Sequence, residues 1–171
     1  MARKVYRMDV LSISSIENLK KQLEEYKKSL NTKCEILVSR LAELGVEVAK
    51  ASIVDLDAVF TGELYGSISY NKVSNDGKRV IFAVVADSEH AIYVEMGTGI
   101  VGAESPYPGN LPAVYAQGKT IRQRADGRYG WFYERDGKWY FTEGMPSRPF
   151  MYFATMEMYN QVVAVAKEVF R

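Results

Sequence analysis

The chain has 171 residues, and its 22 basic and 21 acidic side chains leave a formal net charge of +1. A length of this order suits one domain that buries a core without disulfides or metals. The balanced charge excludes a global field that would draw the chain onto nucleic acid or an acidic membrane, so any contact with DNA has to be local.

The amino-terminal region carries no targeting signal. Met1 to Arg7 is basic but leads into Asp9 without an apolar segment, and no run of eighteen apolar residues follows, so we expect no signal peptide and no membrane contact. Cys34 is the only cysteine, which excludes an internal disulfide. We expect a single domain over 1–171, with an N-terminal extension at 1–14 and a long loop insertion at 100–129.

A long first helix is predicted from Ser14 to about Lys50. Ser14 and Glu17 match a capping box, in which each side chain accepts a hydrogen bond from a backbone amide of the first turn. At ~1.5 Å per residue such a helix is roughly 50 Å long, more than a compact domain of this size needs. Apolar residues recur along it at spacings of three and four: Ile16, Leu19, Leu23, Tyr26, Leu30, Cys34, Leu37, Leu41, Leu44, Val48 and Ala51.

This stripe requires a partner helix, and two partners remain open. From Leu37 to Ala51 we expect it to pack on the C-terminal helix of the same chain. From Ile16 to Leu30, contact with a neighbouring subunit is as well supported as an internal contact. The candidate interface residues are Ile16, Leu19, Leu23 and Tyr26.

Five strands are predicted after the helix. The first two strands form a hairpin. The first is an alternating segment that ends at Val73, and the second is the return strand Arg79–Ala86. The turn Asn75–Lys78, with its Asp-Gly pair, joins them. The remaining strands are His90–Met96, Gly130–Glu134 and Lys138–Thr142. In the last two, Trp131, Tyr133, Trp139 and Phe141 are expected to stack along one face.

A helix beginning near Pro149 and ending at about Val169 completes an α+β fold. The predicted architecture is a long N-terminal helix, an antiparallel β-sheet of about four to five strands with a long loop insertion, and a C-terminal helix packed on the sheet. Several residues of that last helix form a broad apolar face: Phe150, Phe153, Met156 or Met158, Tyr159, Val162, Val163, Ala166 and Val169.

The long insertion between Ile100 and Tyr129 has no apolar periodicity, which is typical of a segment that is functional or that orders on a partner. It holds a basic cluster opposed only by Asp126. Such a cluster is usually solvated, but it also suits DNA phosphates or an acidic neighbouring subunit. The candidate DNA-facing residues are Lys119, Arg122, Arg124 and Arg128.

Gly97-Thr98-Gly99 follows the third predicted strand, and its glycines permit a sharp turn off a sheet edge. A phosphate loop is excluded there because prolines follow instead of a helix. Glu95, at the end of that strand, is expected to pair with an arginine of an adjacent subunit, for which Arg148 is the candidate. These residues therefore join the list of candidate interface residues.

The sequence shows no catalytic constellation. His90 follows Asp87, Ser88 and Glu89, but adjacency in sequence is not a spatial relay, and no nucleophile elbow occurs. Asp55 and Asp57 lack further ligands at a recognisable spacing. We expect no enzyme, no catalytic residue, no metal and no cofactor.

Three motifs in this order resemble a family of tailed-phage virion proteins, the tail-completion or neck proteins that join the portal-bearing head to the tail. Thr-Gly-x-Leu-x-x-Ser-Ile spans Thr61 to Ile68, Tyr-x-Glu-x-Gly-Thr-Gly spans Tyr93 to Gly99, and Pro-Phe-x-x-x-Ala begins at Pro149. The resemblance covers most of the chain outside the first dozen residues and the insertion. Met96 stands where an aromatic residue is usual, and the second hairpin is longer than expected.

The resemblance implies a structural protein that forms a homo-oligomeric ring in a virion or in a phage-derived tail particle. Its partners would be other neck, connector or tail proteins, with room for non-specific contact with DNA in the channel, and assembly would take place in the host cytoplasm. Two other classes remain open, a nucleic-acid-binding module that uses residues 119–128 and a small hydrolase. Balanced charge argues against the first, and the missing catalytic constellation argues against the second.

Overall fold

The computed structural model describes residues 5–7, 9, 12–58, 62–112, 115 and 122–171. The fold is mixed α+β, as predicted. Its elements, in chain order, are α1 (Ile13–Asp55), α2 (Glu63–Ser67), β1 (Ile68–Asn75), β2 (Val80–Ala86), α3 (Ala91–Met96), α4 (Gly99–Glu104), β3 (Arg122–Gln123), β4 (Tyr129–Arg135), β5 (Lys138–Thr142), β6 (Gly144–Met145) and α5 (Phe150–Val169).

Helix α1 starts earlier and ends later than predicted. Its N-cap is Ser12, whose hydroxyl accepts from the amide of Ser15 at 3.3 Å, so the expected capping box at Ser14 is wrong. At 43 residues the helix is about 65 Å long, using ~1.5 Å per residue.

Helix α5 runs antiparallel to the second half of α1. At one end, the Lys33 ammonium donates to the carbonyl oxygen of Arg171 at 3.4 Å. At the other end, Phe150 and Ile53 belong to the same buried cluster. Residues 13–32 of α1 therefore extend past the end of α5 by about 30 Å, and we call this segment the α1 arm.

The buried seam of α1 has a different phase from the predicted stripe. Ala42, Gly45, Ala49 and Ile53 are buried. A Cβ on Gly45 would lie 2.6 Å from Met158 Sδ, so small residues occupy the centre, where the elements approach most closely. The larger stripe residues flank the seam and are half-buried, and Ala51 is exposed: Cys34, Leu37, Leu41, Leu44 and Val48 form the half-buried set.

The first hairpin agrees with the prediction. Strands β1 and β2 pair antiparallel from Ile68 with Ala86 to Asn75 with Val80, and a bulge interrupts the register near Ser74. Asp76 holds the turn by accepting from the amides of Lys78 and Arg79 at 2.8 and 2.7 Å. Both strands pack against α1.

The expected third strand at His90–Met96 is wrong, because Ala91–Met96 is helical. The amides of Val94 and Gly97 donate to carbonyl oxygens four residues earlier, at 3.1 and 2.9 Å. Ala91 and Glu95 are both buried, which is the spacing of one helix face and not of one strand face. Without this strand, the expected single sheet becomes two sheets, β1-β2 and β3-β4-β5.

The second hairpin is confirmed, but its aromatic residues divide between two faces. The register pairs Phe132 with Phe141 and Tyr133 with Tyr140. The first pair makes an edge contact with ring centroids 5.4 Å apart, and the second stacks at 5.8 Å. The predicted single-face stack is wrong because odd-numbered residues of β4 pair with even-numbered residues of β5.

The predicted loop insertion is partly regular, since it holds α4 and the short strand β3. Two isolated bridges, Thr98 with Met145 and Gly99 with Gly144, join the residues before the insertion to β6. Within the described ranges, no helix is long and apolar enough to cross a membrane.

Candidate functional site

The candidate residues lie in three places. The stripe residues lie on the α1 arm. Glu95, Gly97, Thr98, Gly99 and Arg148 meet in what we call the α3–α5 junction, formed by residues 94–99 and 143–152. The described members of the basic cluster lie at β3 and the turn that follows it.

The α1 arm exposes its apolar stripe. Every residue from 21 to 30 is exposed, and Leu23 and Tyr26 keep 47% and 48% of their surface accessible. Ile16 is also exposed, whereas Leu19 is half-buried. The stripe forms a shallow groove with an apolar floor and a charged rim, lined by Ile16, Leu19, Lys20, Leu23, Glu24 and Lys27.

The outer face of α5, which we define by Phe153, Met156, Tyr159, Val162 and Val163, is exposed as well. The prediction placed these residues against the sheet or α1. The contacts instead concentrate on the opposite side, where Phe150 and Ala154 are buried. A helix that is apolar all round is expected to be covered all round, and this chain covers one side of α5.

The accessible surface of the chain is 12230 Å². A compact monomer of 171 residues exposes about 8,500 Å². The difference agrees with a long projecting helix and with apolar faces that this chain leaves open.

Glu95 in the α3–α5 junction caps α5 from a different element. Its carboxylate oxygens accept from the amides of Met151 and Tyr152, each at 2.9 Å. Pro149, at the N-cap position, makes no side-chain cap, so Glu95 satisfies amides that would otherwise lack a partner.

Glu95 is only 6% exposed. Burial raises the pKa of its carboxyl, while the amides of Met151 and Tyr152 and the hydroxyl of Tyr107 offset part of that rise. The expected pairing of Glu95 with Arg148 of an adjacent subunit stays a prediction. Within this chain, Arg148 donates from Nε to the carbonyl oxygen of Leu56 at 2.9 Å. Its backbone amide donates to the carbonyl oxygen of Val94 at 2.9 Å.

Gly97 and Gly99 adopt the positive φ angles that their role as turn residues requires, +71° and +65°. The turn does not lead outward, however. Thr98 Oγ1 accepts from the amide of Met145 at 3.2 Å, and the hydroxyl of Ser147 donates to the carbonyl oxygen of Glu95 at 2.7 Å. The Gly-Thr-Gly segment therefore fastens α3 to the chain that enters α5.

Sequence reasoning missed three contributors to this junction: Tyr107, Tyr115 and Ser147. The Tyr107 hydroxyl bonds to Glu95, and the Tyr115 hydroxyl donates to the carbonyl oxygen of Gly97. Both tyrosines come from the insertion, which has no local pattern that would indicate their targets. Within the sequence, their only signal is the presence of aromatic hydroxyls among prolines and glycines.

The basic cluster is partly engaged with its own hairpin. Arg124 and Arg128 both pair with Asp126, at 3.5 and 3.2 Å. Their guanidinium groups also lie over the ring of Phe141, at 4.7 and 5.0 Å from its centroid. Arg122 is exposed on β3. Lys119, like Thr61 of the first motif, lies outside the described residues.

The candidate residues for chemistry form no relay. The Ser88 hydroxyl donates to a carboxylate oxygen of Glu63 at 3.3 Å and accepts from the backbone amide of His90 at 3.4 Å. In the part of the chain that the structure describes, no three His, Cys, Asp or Glu side chains converge as metal ligands.

No protein-family model matches this chain, and no curated protein or solved structure matches it either.

Proposed function

We propose that this chain is a structural protein of a phage virion or of a phage-derived tail particle. It forms a ring of identical copies in the neck or tail-completion region, where it joins the head to the tail. The observation that carries the proposal is the amount of apolar surface left open on elements that the chain itself has ordered, the α1 arm and the outer face of α5.

A subunit that acts alone is not expected to leave such faces exposed, because exposed apolar patches of this extent mark contact surfaces. A ring subunit meets a neighbour on two sides, so it needs two separate surfaces. The arm and the outer face of α5 provide two. The three motifs that resemble the tail-completion family add the specific position in the virion.

The partners under this proposal are further copies of the chain and adjoining neck, connector or tail proteins, with assembly in the host cytoplasm. DNA contact is a secondary part of the proposal. Arg124 and Arg128 are engaged with Asp126 and Phe141, and Arg122 and Arg128 are the exposed described arginines of the cluster. No specific observation favours a dedicated nucleic-acid-binding module.

The test combines assembly with infectivity. Purified chain is examined by sedimentation velocity and negative-stain imaging, and the gene is supplied to a phage that lacks it. We expect closed rings and restored head-to-tail joining. A chain that remains monomeric at every concentration and does not restore infectivity would contradict the proposal.

A further inference from the structure

The α1 arm repeats the apolar stripe that flanks the buried seam in the packed half of α1. Eighteen residues make five turns of an α-helix, so positions eighteen apart point in the same direction. Leu23 and Tyr26 are exposed, whereas Leu41 and Leu44, eighteen residues later, are half-buried. α5 makes the most extensive contact with α1. The arm therefore leaves exposed the same stripe that is half-buried in the packed half of the helix.

The outer face of α5 is a second exposed apolar surface, and it carries no charged residue up to Ala166. From Phe150 to Ala166 the only charged residue is Glu157, and its carboxylate accepts from the Gln161 amide at 2.8 Å on the same helix. Tyr159 is 77% exposed at the middle of this face. An uncharged apolar helix face of this kind has no unfavourable charge to bury against the arm.

The two faces also match in size. Each presents five large apolar side chains, exposed by 40–77% on the arm and by 39–77% on α5. At about 200 Å² for a large side chain this amounts to roughly 500 Å² per face. Complete coverage of both faces would bury on the order of 1,000 Å², which is the lower limit for a specific protein interface.

We propose that the α1 arm of one copy binds the outer face of α5 on a neighbouring copy. This inference rests on the proposed ring and names the contact that builds it. Pairing two arms with each other would leave both α5 faces open, whereas the arm-to-α5 contact covers both surfaces and repeats around a ring because it joins unlike surfaces.

Directed cross-linking tests the contact. Cys34 is replaced by serine, and Leu23→Cys and Met156→Cys are introduced into separate preparations, which are mixed and treated with a flexible bis-maleimide. We expect cross-linked dimers in the mixture and not in either preparation alone. Lys78→Cys, at the exposed turn of the first hairpin, is the matched control and should give no dimer with Leu23→Cys.

Dimers in the Leu23→Cys preparation alone would assign the arm to another arm, and dimers from Met156→Cys alone would assign α5 to another α5. Either result overturns the inference. A second test needs no cysteine: Leu23→Glu and Tyr159→Asp should each raise the concentration for half-assembly by about tenfold or more, because each places a charge in an apolar contact.

The outcomes separate this contact from the proposed function. Wild-type rings that give no arm-to-α5 cross-link, or Leu23→Glu chains that assemble at the same concentration as wild type, overturn the contact and leave the proposed function intact. Wild-type chains that neither assemble nor restore infectivity overturn the proposed function itself.

Discussion

Glu95 is the residue whose position departs most from the sequence-based expectation, because its carboxylate binds the start of α5 in its own subunit. Glu95→Gln should lower the free energy of unfolding by about 1–3 kcal/mol. The side-chain NH₂ of glutamine would lie opposite the backbone N–H of Met151 or Tyr152, and two hydrogen-bond donors cannot bond to each other. Chemical denaturation measures the effect. Glu89→Gln, at an exposed position, is the control and should change stability little.

The effect of Glu95→Gln should also depend on pH. Burial raises the pKa of Glu95 above its ordinary value of 4.5, so the folded state favours the protonated carboxyl. The contribution of the Glu95 carboxyl to the free energy of unfolding is fully present below pH 4.5 and is lost as the pH rises through the raised pKa. The unfolding free energy of wild type minus that of Glu95→Gln should therefore be largest in acid. A difference that grows with pH would show that the amide bonds outweigh burial.

Gly97 tests whether the α3–α5 junction tolerates a side chain. A Cβ there would lie 2.5 Å from the amide nitrogen of Ser147, whereas a Cβ on Gly62 meets nothing within 4 Å. Both have positive φ, so Gly62→Ala isolates the conformational strain of about 1–2 kcal/mol. Gly97→Ala should cost about 1–3 kcal/mol more in denaturation experiments because backbone atoms must move. Equal losses would mean that the segment before α5 shifts easily.

Among the elements, those with strong local signals could be predicted from the sequence. The Asp-Gly turn identified the β1-β2 hairpin, and spacings of three and four identified α1. Helix α3 could not be predicted, because β-branched and aromatic residues favour a strand and the buried position of Glu95 depends on α5, more than fifty residues later. The phase of α1 was missed because close approach to Met158 selects Gly45 at the seam, a contact that periodicity does not reveal.

The arm and the packed half of α1 offer a matched pair of substitutions. Leu41→Glu places a charge at a half-buried position and should lower the free energy of unfolding by about 1–3 kcal/mol, whereas Leu23→Glu should stay within about 0.5 kcal/mol. Thermal and chemical denaturation of monomeric protein at low concentration compare them on the same helix face. Equal destabilisation would show that the arm packs within its own subunit.

At the scale of the whole molecule, the candidate site divides into a junction that the chain completes internally and two faces that it leaves open. The α3–α5 junction fixes where α5 begins, and the position of α5 along α1 fixes where the arm becomes free. The sequence predicted that the stripe from Leu37 to Ala51 packs within the chain but left Ile16–Leu30 open, because which part is covered depends on where α5 ends, beside Lys33.

A ring built from unlike surfaces predicts how defective subunits behave in mixtures. Leu23→Glu keeps an intact α5 face, and Tyr159→Asp keeps an intact arm, so neither variant alone should assemble. Mixed at equal amounts, they retain one competent contact between them and should form dimers that cannot grow further, which sedimentation velocity would detect. The double variant should remain monomeric in every mixture, because it lacks both surfaces. Complete rings from the mixture would contradict the requirement for both surfaces on each copy, since every second contact in such a ring would carry the two charges.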